Sequence, residues 1–377
     1  MGFISSMWYL GDWKVCGDQM KKLLFILTTI AVLNGQFDNA STSAANFLKV
    51  EVGGQAAAMG GAFTAQVNDV SALFWNPAGI TGIGKSEVMV SQTEWIGDIN
   101  HNYLAAAVKF GSQGYLGLSI NQMAYGNMTR TTEFSPEGEG TFTANDLSLG
   151  LAYGTRISDK FSTGIQFKII RETISFSSAN AVAVDVGSQY TTSFSGLKIG
   201  MAITNFGSKM TLSGTDQKVD IDAYEDLNGN PDVIAQLGTE QWSLPMTFKV
   251  GLSFSPVGPD ALIKQEKLSL TVNAEYSDPR DFNPIYMAGA ELTIMKLLYL
   301  RAGVKNTFLR YPHDLDDVSD KALSDYEEGK YINRFSMGFG LSSKNFPFIP
   351  YRLNLDYAYS DLGLLGWVPR LTLRINF

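Results

Sequence analysis

Side chains suited to catalysis are few in this chain. The sequence has two histidines, His101 and His313, and one cysteine, Cys16. His101 lies at the edge of a predicted strand and His313 in an acidic segment, and neither has a Ser or Asp partner at a spacing that indicates a catalytic pair. Cys16 lies upstream of a predicted export signal, so the exported chain would have no thiol nucleophile and no disulfide. We therefore predict that the protein is not an enzyme and has no cofactor.

Acidic segments form a second group of candidate ligands. Residues 212–241 contain seven Asp or Glu and one Lys, and residues 312–330 contain seven Asp or Glu and two Lys. Carboxylate and amide oxygens suit Ca²⁺, and the weak candidates here are Asp226, Asn228, Asn230 and Asp232. The EF-hand pattern is not met, because no acidic residue stands at the twelfth position from Asp226. A solvated acidic loop is the favoured interpretation.

Charged residues inside segments of alternating polarity form the third group. If the apolar face of each segment points outwards, ten of these side chains point into an enclosed interior: Lys168, Asp185, Glu275, Glu291, Arg301, Lys305, Arg352, Asp356, Arg370 and Arg374. Burying unpaired charges there would cost free energy, which favours ion-pair networks that hold the residues filling the interior to the surrounding strands. The alternative is a carboxylate-binding cluster for an acidic amphiphile, with candidates Arg301, Arg352, Arg370 and Arg374.

Composition limits the kind of protein that could hold these groups. Of 377 residues, 45% are hydrophobic and 18% are charged, against about 25% charged in ordinary soluble domains. The apolar content excludes a disordered chain, and the net charge of −8 argues against a nucleic-acid partner. The longest strongly apolar stretch, residues 23–33, is too short for a membrane-spanning helix. A β-rich soluble protein or a transmembrane β-barrel remains.

Alternation with a period of two predicts strands through most of the chain. The fourteen predicted segments are 87–95, 102–110, 114–123, 146–156, 161–173, 181–191, 197–205, 245–255, 268–277, 284–294, 297–306, 333–342, 351–360 and 368–377. A soluble sandwich would alternate similarly, so the loop lengths matter more. The long connections 124–145, 206–244 and 307–332 all follow odd-numbered strands, and most connections after even strands are very short. This asymmetry is typical of outer-membrane barrels.

The barrel interpretation sets an orientation. It places both termini and the short turns in the periplasm of a Gram-negative type envelope, and the long acidic loops outside. The last strand ends on an aromatic residue, and Leu373, Ile375 and Phe377 resemble the signal recognised by barrel-assembly machinery. Five aromatic residues could contact lipid headgroups in the interfacial girdles: Trp95, Trp242, Tyr276, Tyr359 and Trp367.

The N-terminal part divides into three segments. Residues 1–19 are predicted to be an upstream extension, and residues 20–35 a signal peptide whose cleavage could fall as late as about residue 45. Residues 46–85 do not alternate and are rich in glycine and alanine, and residues 86–377 form the predicted barrel. Asn68 or Asp69 could cap a short helix through Trp75, which Pro77 should end at Asn76.

The segment from Phe47 to Gly79 carries a family resemblance. Its glycines Gly53, Gly60 and Gly61 and its motif Asn76, Pro77, Ala78 and Gly79 resemble the start of PorV/PorQ-type outer-membrane proteins, within the wider FadL-like group. The resemblance implies an all-β protein: a fourteen-stranded antiparallel transmembrane β-barrel with a partly helical N-terminal hatch in the lumen.

Two functions follow from this resemblance. The leading interpretation is a PorV/PorQ-type protein that binds type IX secretion components and secreted cargo, in secretion and surface attachment; the alternative is a solute transporter. As a FadL-like protein it would transport hydrophobic, fatty-acid-like solutes passively. The expected partners are outer-membrane lipid, the barrel-assembly machinery and either those proteins or a hydrophobic small molecule. An apolar pocket of a few hundred Å³ between hatch and wall would favour transport, whereas a wide lateral opening would favour protein docking.

Overall fold

The structure is a computed structural model. The structure describes residues 43–194, 196–221, 233–259, 261–308, 331–345 and 351–377. The predicted signal peptide and upstream extension, Cys16, His313 and the four Ca²⁺ candidates lie outside these ranges. In the described part, no helix has the length and apolar character needed to cross a membrane.

Fourteen long strands form one antiparallel sheet that closes on itself. The first strand pairs with the last, with Glu87 opposite Asn376 and Thr93 opposite Arg370. The strands are β1 (Ser86–Glu94), β2 (Asn100–Phe110), β3 (Gly114–Thr129), β4 (Thr141–Arg156), β5 (Phe161–Ile174), β6 (Ser177–Thr191), β7 (Lys198–Gly207), β8 (Thr247–Gly258), β9 (Leu268–Pro279), β10 (Ile285–Ile294), β11 (Leu298–Phe308), β12 (Tyr331–Ser342), β13 (Arg352–Asp361) and β14 (Trp367–Asn376). The predicted fourteen-stranded antiparallel barrel is therefore confirmed, because each predicted segment overlaps one of these strands.

The connections are unequal at the two ends of the barrel. At one end, here called the short-turn end, β2 joins β3 through residues 111–113 and β10 joins β11 through 295–297. At the other, the long-loop end, β7 joins β8 through residues 208–246. The predicted loop 124–145 is shorter than expected, since β3 and β4 extend their pairing to Thr129 and Thr141 beyond a bulge. These long strands protrude past their neighbours at the long-loop end.

Smaller elements lie in the connections. In the longest connection, Ser213–Gly214 pairs with β6, a 3₁₀ turn spans Thr215–Gln217, and Lys218–Ile221 pairs with Val233–Gln236. The remaining elements are Ile263–Lys264, which lies parallel to β8, and the 3₁₀ turns Ser343–Asn345 and Gly363–Leu365.

The outer face of the barrel is apolar. Large side chains such as Leu118, Leu151, Phe167, Ile169 and Leu371 are at least half exposed, and they alternate with buried polar residues on the same strands. Exposing so much apolar surface to water would be strongly unfavourable, at about 25 cal/mol per Å². A lipid environment removes that penalty, so the outer face is that of a transmembrane barrel.

The N-terminal segment fills the lumen as a hatch. It contains a 3₁₀ turn at Asn46–Lys49, helix α1 (Gly54–Ala58), helix α2 (Ala72–Trp75) and a 3₁₀ helix at Pro77–Gly82. Its apolar residues pack on inward-facing residues of β1–β4 to form the main core, in which the Trp75 indole donates to the carbonyl of Val52 at 2.9 Å. The hatch therefore has a core of its own that continues into the wall.

The start of α2 differs from the prediction. The residue before the helix is Ser71, not Asn68 or Asp69, and its side chain makes no capping bond. The Asp69 carboxylate instead accepts the Ser71 amide at 2.8 Å, which makes a turn before the helix, and it also binds Arg374. The helix ends at Asn76 in extended conformation immediately before Pro77, as expected.

Glycines on the inner face of the wall let the hatch pass very close. A Cβ atom at Gly187 would overlap the Asn76 side chain, and one at Gly303 would overlap the backbone between Met59 and Gly60. Gly60 and Gly61 themselves have φ values of +67° and +83°, which side-chain-bearing residues rarely adopt. Glycines in the wall and glycines in the hatch therefore both allow the two backbones to lie close together.

We expect Gly187→Ala to loosen the hatch while the barrel stays closed. The added methyl group has to displace Asn76 or the wall, which costs about 1–3 kcal/mol. Limited proteolysis of the detergent-solubilised protein should cleave within residues 46–85 several times faster. The unheated protein should still migrate on SDS gels as a folded barrel, at the same position as the parent protein. Gly238→Ala is the matched control, since a Cβ there meets open space. Equal cleavage rates would contradict the close-approach argument.

Candidate functional site

Wall carboxylate and amide groups hold the hatch backbone in the lumen. The buried Glu275 carboxylate of β9 accepts the amides of Phe63 and Thr64 at 2.8 and 2.7 Å and the Thr64 hydroxyl at 2.7 Å. From β6, the Gln189 amide donates to the carbonyls of Thr64 and Val67 at 3.2 and 2.8 Å. Backbone groups that have left regular structure need such partners when water is excluded.

Asn76 is a second anchor and belongs to the predicted hatch motif. Its fully buried side chain donates to the carbonyls of Thr64 at 2.9 Å and Ser188 at 3.1 Å, and it accepts the amide of Ala78 at 3.2 Å. One side chain therefore ties two parts of the hatch to β6. Gly79 of the same motif packs against Val67 with no room for a Cβ atom.

An ion network joins hatch and wall towards the short-turn end. Arg301 of β11 contacts Glu291 and Asp356, each at 2.6 Å. Arg374 of β14 contacts Asp356 at 3.1 Å and also pairs with Asp69 of the hatch. Two arginines thus serve three carboxylates inside the barrel, which is the arrangement that makes buried charge tolerable.

The outer cavity, of about 290 Å³, lies between the hatch and the long-loop end. Its wall residues belong to the parts of β7–β11 nearest that end, for example Thr204, Thr247 and Lys305. Apolar side chains supply most of its exposed lining: Leu48, Phe74, Trp75, Phe282, Ile285 and Met287. Its volume and position are those of the apolar pocket between hatch and wall that the transport hypothesis predicts.

Lys249 is the unpaired cation of this cavity within the described residues. Its ammonium lies 4.8 Å from the ring centre of Trp75 and 5.7 Å from that of Phe74, and no described carboxylate is within ion-pair distance. By contrast, Lys305 pairs with Glu51 of the hatch. Burial alone would raise the pKa of the Glu51 carboxyl, but the ammonium of Lys305 holds that pKa below its ordinary value.

The wall beside the outer cavity contains a bulge between β6 and β7. The register shifts between Val184 and Val186, and Asn205 has a φ of +61°. The buried Asp185 carboxylate fills the gap, accepting the Asn205 amide at 2.7 Å and pairing with Lys168 at 2.8 Å. Thr204 and Asn205 line the cavity. Here side chains replace part of the strand-to-strand hydrogen bonding.

The inner cavity, of about 270 Å³, lies on the opposite side of the hatch towards the short-turn end. It shares no lining residue with the outer cavity. Its lining is predominantly polar and includes hatch residues Gln55, Gln66 and Asp69 together with wall residues Glu87 and Arg352. The hatch therefore separates an apolar compartment from a polar one.

The ten predicted lumen charges all belong to the interior. Seven are buried: Lys168, Asp185, Glu275, Glu291, Arg301, Asp356 and Arg370. Lys305 and Arg374 are half-buried, and the exposed Arg352 lines the inner cavity. Of the four arginines considered for a carboxylate ligand, Arg301 and Arg374 already bind protein carboxylates, while Arg370 donates to Thr93 at 2.9 Å.

Sequence reasoning missed Lys249, Glu51 and Glu87. Lys249 and Glu87 share the inward phase of their strands, so the same alternation could have found them. Glu51 could not be found that way, because the hatch has no period. His101, expected at the edge of a strand, is the second residue of β2 and lies buried inside the barrel, with Nε2 2.6 Å from the Asn121 side-chain oxygen. Side chains alternate between the two faces of β2, and His101 has the phase that points into the barrel.

Other expected sites have mixed outcomes. Tyr359 and Trp367 stack on the outer face with ring centres 5.0 Å apart, Tyr276 contacts Tyr286, and Trp242 is exposed, whereas Trp95 packs on the apolar cluster around Phe47.

No group of three or more potential metal ligands occurs in the described ranges, and Asp226, Asn228, Asn230 and Asp232 lie outside them. The assembly role of Leu373, Ile375 and Phe377 stays a prediction.

Comparison with known proteins adds a family and a fold. Residues 31–258 match the model of the Uncharacterised protein family (UPF0164). The CymD monoaromatic hydrocarbon channel superposes with a TM-score of 0.52 at 13% identity, over 87% of this chain and 98% of that one. A FadL homologue of Pseudomonas aeruginosa gives 0.50 at 14% identity, over 87% and 98%. The fold is therefore FadL-like. None of the curated proteins compared with the chain matches it.

Arg301→Met should destabilise the protein by about 3–5 kcal/mol, because it leaves Glu291 and Asp356 as buried carboxylates without their main counter-ion. Urea unfolding in detergent would measure this loss of stability, with the fraction that migrates as a folded barrel on SDS gels as the readout. Adding Glu291→Gln and Asp356→Asn should recover most of the loss. Arg171→Met, at an exposed position of β5, is the control. A loss no larger than that of the control would contradict the network's role.

Proposed function

The chain belongs to the Uncharacterised protein family (UPF0164). We propose that this member is an outer-membrane channel for hydrophobic solutes that carry an anionic group. The observation that carries the proposal is the apolar outer cavity with the unpaired Lys249 ammonium at its inner wall. Long loops would face the outside and the short-turn end the periplasm. The names of the structurally similar channels agree with a hydrophobic solute.

The cavity offers one place for each part of an amphiphile. Leu48, Phe282 and Ile285 provide apolar surface for an acyl chain. Lys249 projects from β8 beside two aromatic rings, where its ammonium is partly shielded from water and has no described carboxylate within ion-pair distance. A carboxylate there would form a charge-assisted hydrogen bond, which is stronger than a neutral one. The favoured solute is therefore fatty-acid-like.

The path out of the cavity is the second element of the proposal. Withdrawing the hatch would break the bonds of Glu275, Gln189 and Asn76 together. Parting β6 from β7 at the bulge would instead disturb the side-chain bridge of Asp185 and Asn205, next to the cavity. Outside this point the wall is apolar at Ile203 and Phe206. We therefore favour a lateral route into the membrane.

The type IX secretion role implied by the PorV/PorQ resemblance stays a prediction. Every neighbouring pair of barrel strands in the described residues is hydrogen-bonded, so the wall there has no wide gap of the kind that protein docking would favour. The apolar cavity favours the solute channel.

Lys249→Met should weaken binding of laurate roughly tenfold to a hundredfold, since a hydrogen bond between charged groups contributes about 1.5–3 kcal/mol. Methyl laurate, which has no charge, should bind both proteins equally. Calorimetric titration of the full chain in detergent measures both ligands. If the variant binds laurate as tightly as the parent protein, the headgroup assignment is wrong.

Locking the bulge should block transport without blocking binding. Val184 and Phe206 are register partners across β6 and β7, so a disulfide between Val184→Cys and Phe206→Cys should lower laurate uptake several-fold by Gram-negative cells that lack another fatty-acid channel. A reductant should restore uptake. The control pair, Ile169→Cys with Val182→Cys, links regular positions of β5 and β6. Unchanged uptake with the disulfide formed would exclude this exit.

A further inference from the structure

The inner cavity contains a buried carboxylate, that of Glu87, which has no cation within ion-pair distance among the described residues. Glu87 of β1 is 2% exposed, and its Oε2 accepts the Asn376 side chain at 2.9 Å. Its Oε1 has no partner at full hydrogen-bond geometry, and the backbone amide of Val70 reaches the carboxyl group only with poorer geometry. Burying a carboxylate oxygen without a partner is unfavourable, so a donor from a ligand would relieve it.

The guanidinium of Arg352 stands on the other side of the same cavity. Arg352 of β13 is exposed, lines the cavity and makes no ion pair within the described residues. Asn376 of β14 is the register partner of both Glu87 and Arg352. Their Cα atoms are therefore two strand spacings apart, roughly 10 Å. Side chains of this length can converge on one small molecule between them.

The other charges of the cavity are already used. Arg301 and Arg374 bind Glu291, Asp356 and Asp69. The remaining pair therefore has opposite signs, a fixed separation and access to about 270 Å³ of space with a polar lining. A hydrophobic solute does not suit this lining, so the site is separate from the outer cavity in chemistry as well as in position.

We propose that the inner cavity binds a small zwitterion, with its ammonium group on Glu87 and its carboxylate group on Arg352. An amino acid with its two charges separated by a short methylene chain has this chemistry. The bound ammonium would donate to Glu87 Oε1, and the guanidinium would donate to both oxygens of the ligand carboxylate. The ligand would also touch Asn68 and Asp69, which lie on the hatch face that lines the cavity.

The test compares three probes of equal length: 4-aminobutanoate, butylamine and butanoate. Calorimetric titration of the full chain in detergent should show 4-aminobutanoate binding at least about tenfold more tightly than either singly charged probe. Glu87→Gln should remove its advantage over butanoate, and Arg352→Gln should remove its advantage over butylamine. Each variant should weaken 4-aminobutanoate binding roughly tenfold to a hundredfold.

Matched controls separate this site from folding and from the outer cavity. Glu94→Gln lies at the other end of β1 and Arg171→Gln at an exposed position of β5, and both should bind 4-aminobutanoate as the parent does. Heat-resistant migration checks that each variant is folded, and laurate binding should be unchanged in Glu87→Gln and Arg352→Gln. Three outcomes would overturn the proposal, whatever the result with laurate. They are no binding of 4-aminobutanoate at millimolar concentrations, equal binding of the three probes, and unchanged binding in both site variants.

Discussion

The structure depends on satisfying the polar backbone of an irregular segment inside a closed barrel. Residues 53–85 form only short helical pieces, so many of their amides and carbonyls have no partner within the segment. The wall supplies these partners: Glu275 binds two hatch amides, and Gln189 binds hatch carbonyls. An unmet backbone group in such an interior costs free energy comparable to a lost hydrogen bond. This constraint determines which wall positions carry polar side chains and where the wall needs glycine.

The same constraint divides the charges of the lumen into two kinds. Arg374 and Lys305 pair with hatch carboxylates and Arg301 with wall carboxylates, so a structural role accounts for all three. Lys249 and Glu87 lack an ionic partner in the described part of the chain, and each lines a cavity. Since buried charge without a partner is costly, these residues are where ligand binding would return free energy.

The barrel wall combines closure with one local irregularity. Continuous pairing from β1 to β14 leaves no sheet edge within the described strands, as a membrane-spanning sheet requires. The bulge between β6 and β7 replaces part of this pairing by Asp185, Asn205 and Lys168. Fewer backbone hydrogen bonds join the two strands here than elsewhere in the wall, which is why we propose this point for a change in shape.

Much of the fold could be predicted because alternation along a strand is local. The pattern around Leu149, Leu151 and Ser148 already shows which face meets lipid, and the fourteen segments overlap the observed strands. Strand ends were less predictable: β3 and β4 stay paired beyond a bulge, where the register shifts and a strict period of two no longer marks the strand. The hatch motif with Asn76 and Pro77 predicted the end of α2 but not its start, since Asp69 is committed to Arg374 on a distant strand.

The sequence by itself therefore determined the barrel, its strand number, the inward direction of its charged residues and the presence of a hatch. Only the tertiary structure decided which charged and polar groups bind each other, because the partners are far apart in the chain: Arg374 with Asp69, Lys305 with Glu51, and Glu275 with Thr64. It also decided that the hatch separates two cavities of opposite character. Period and composition are properties of neighbouring residues, whereas a cavity and an unpaired charge depend on what the rest of the chain places around them.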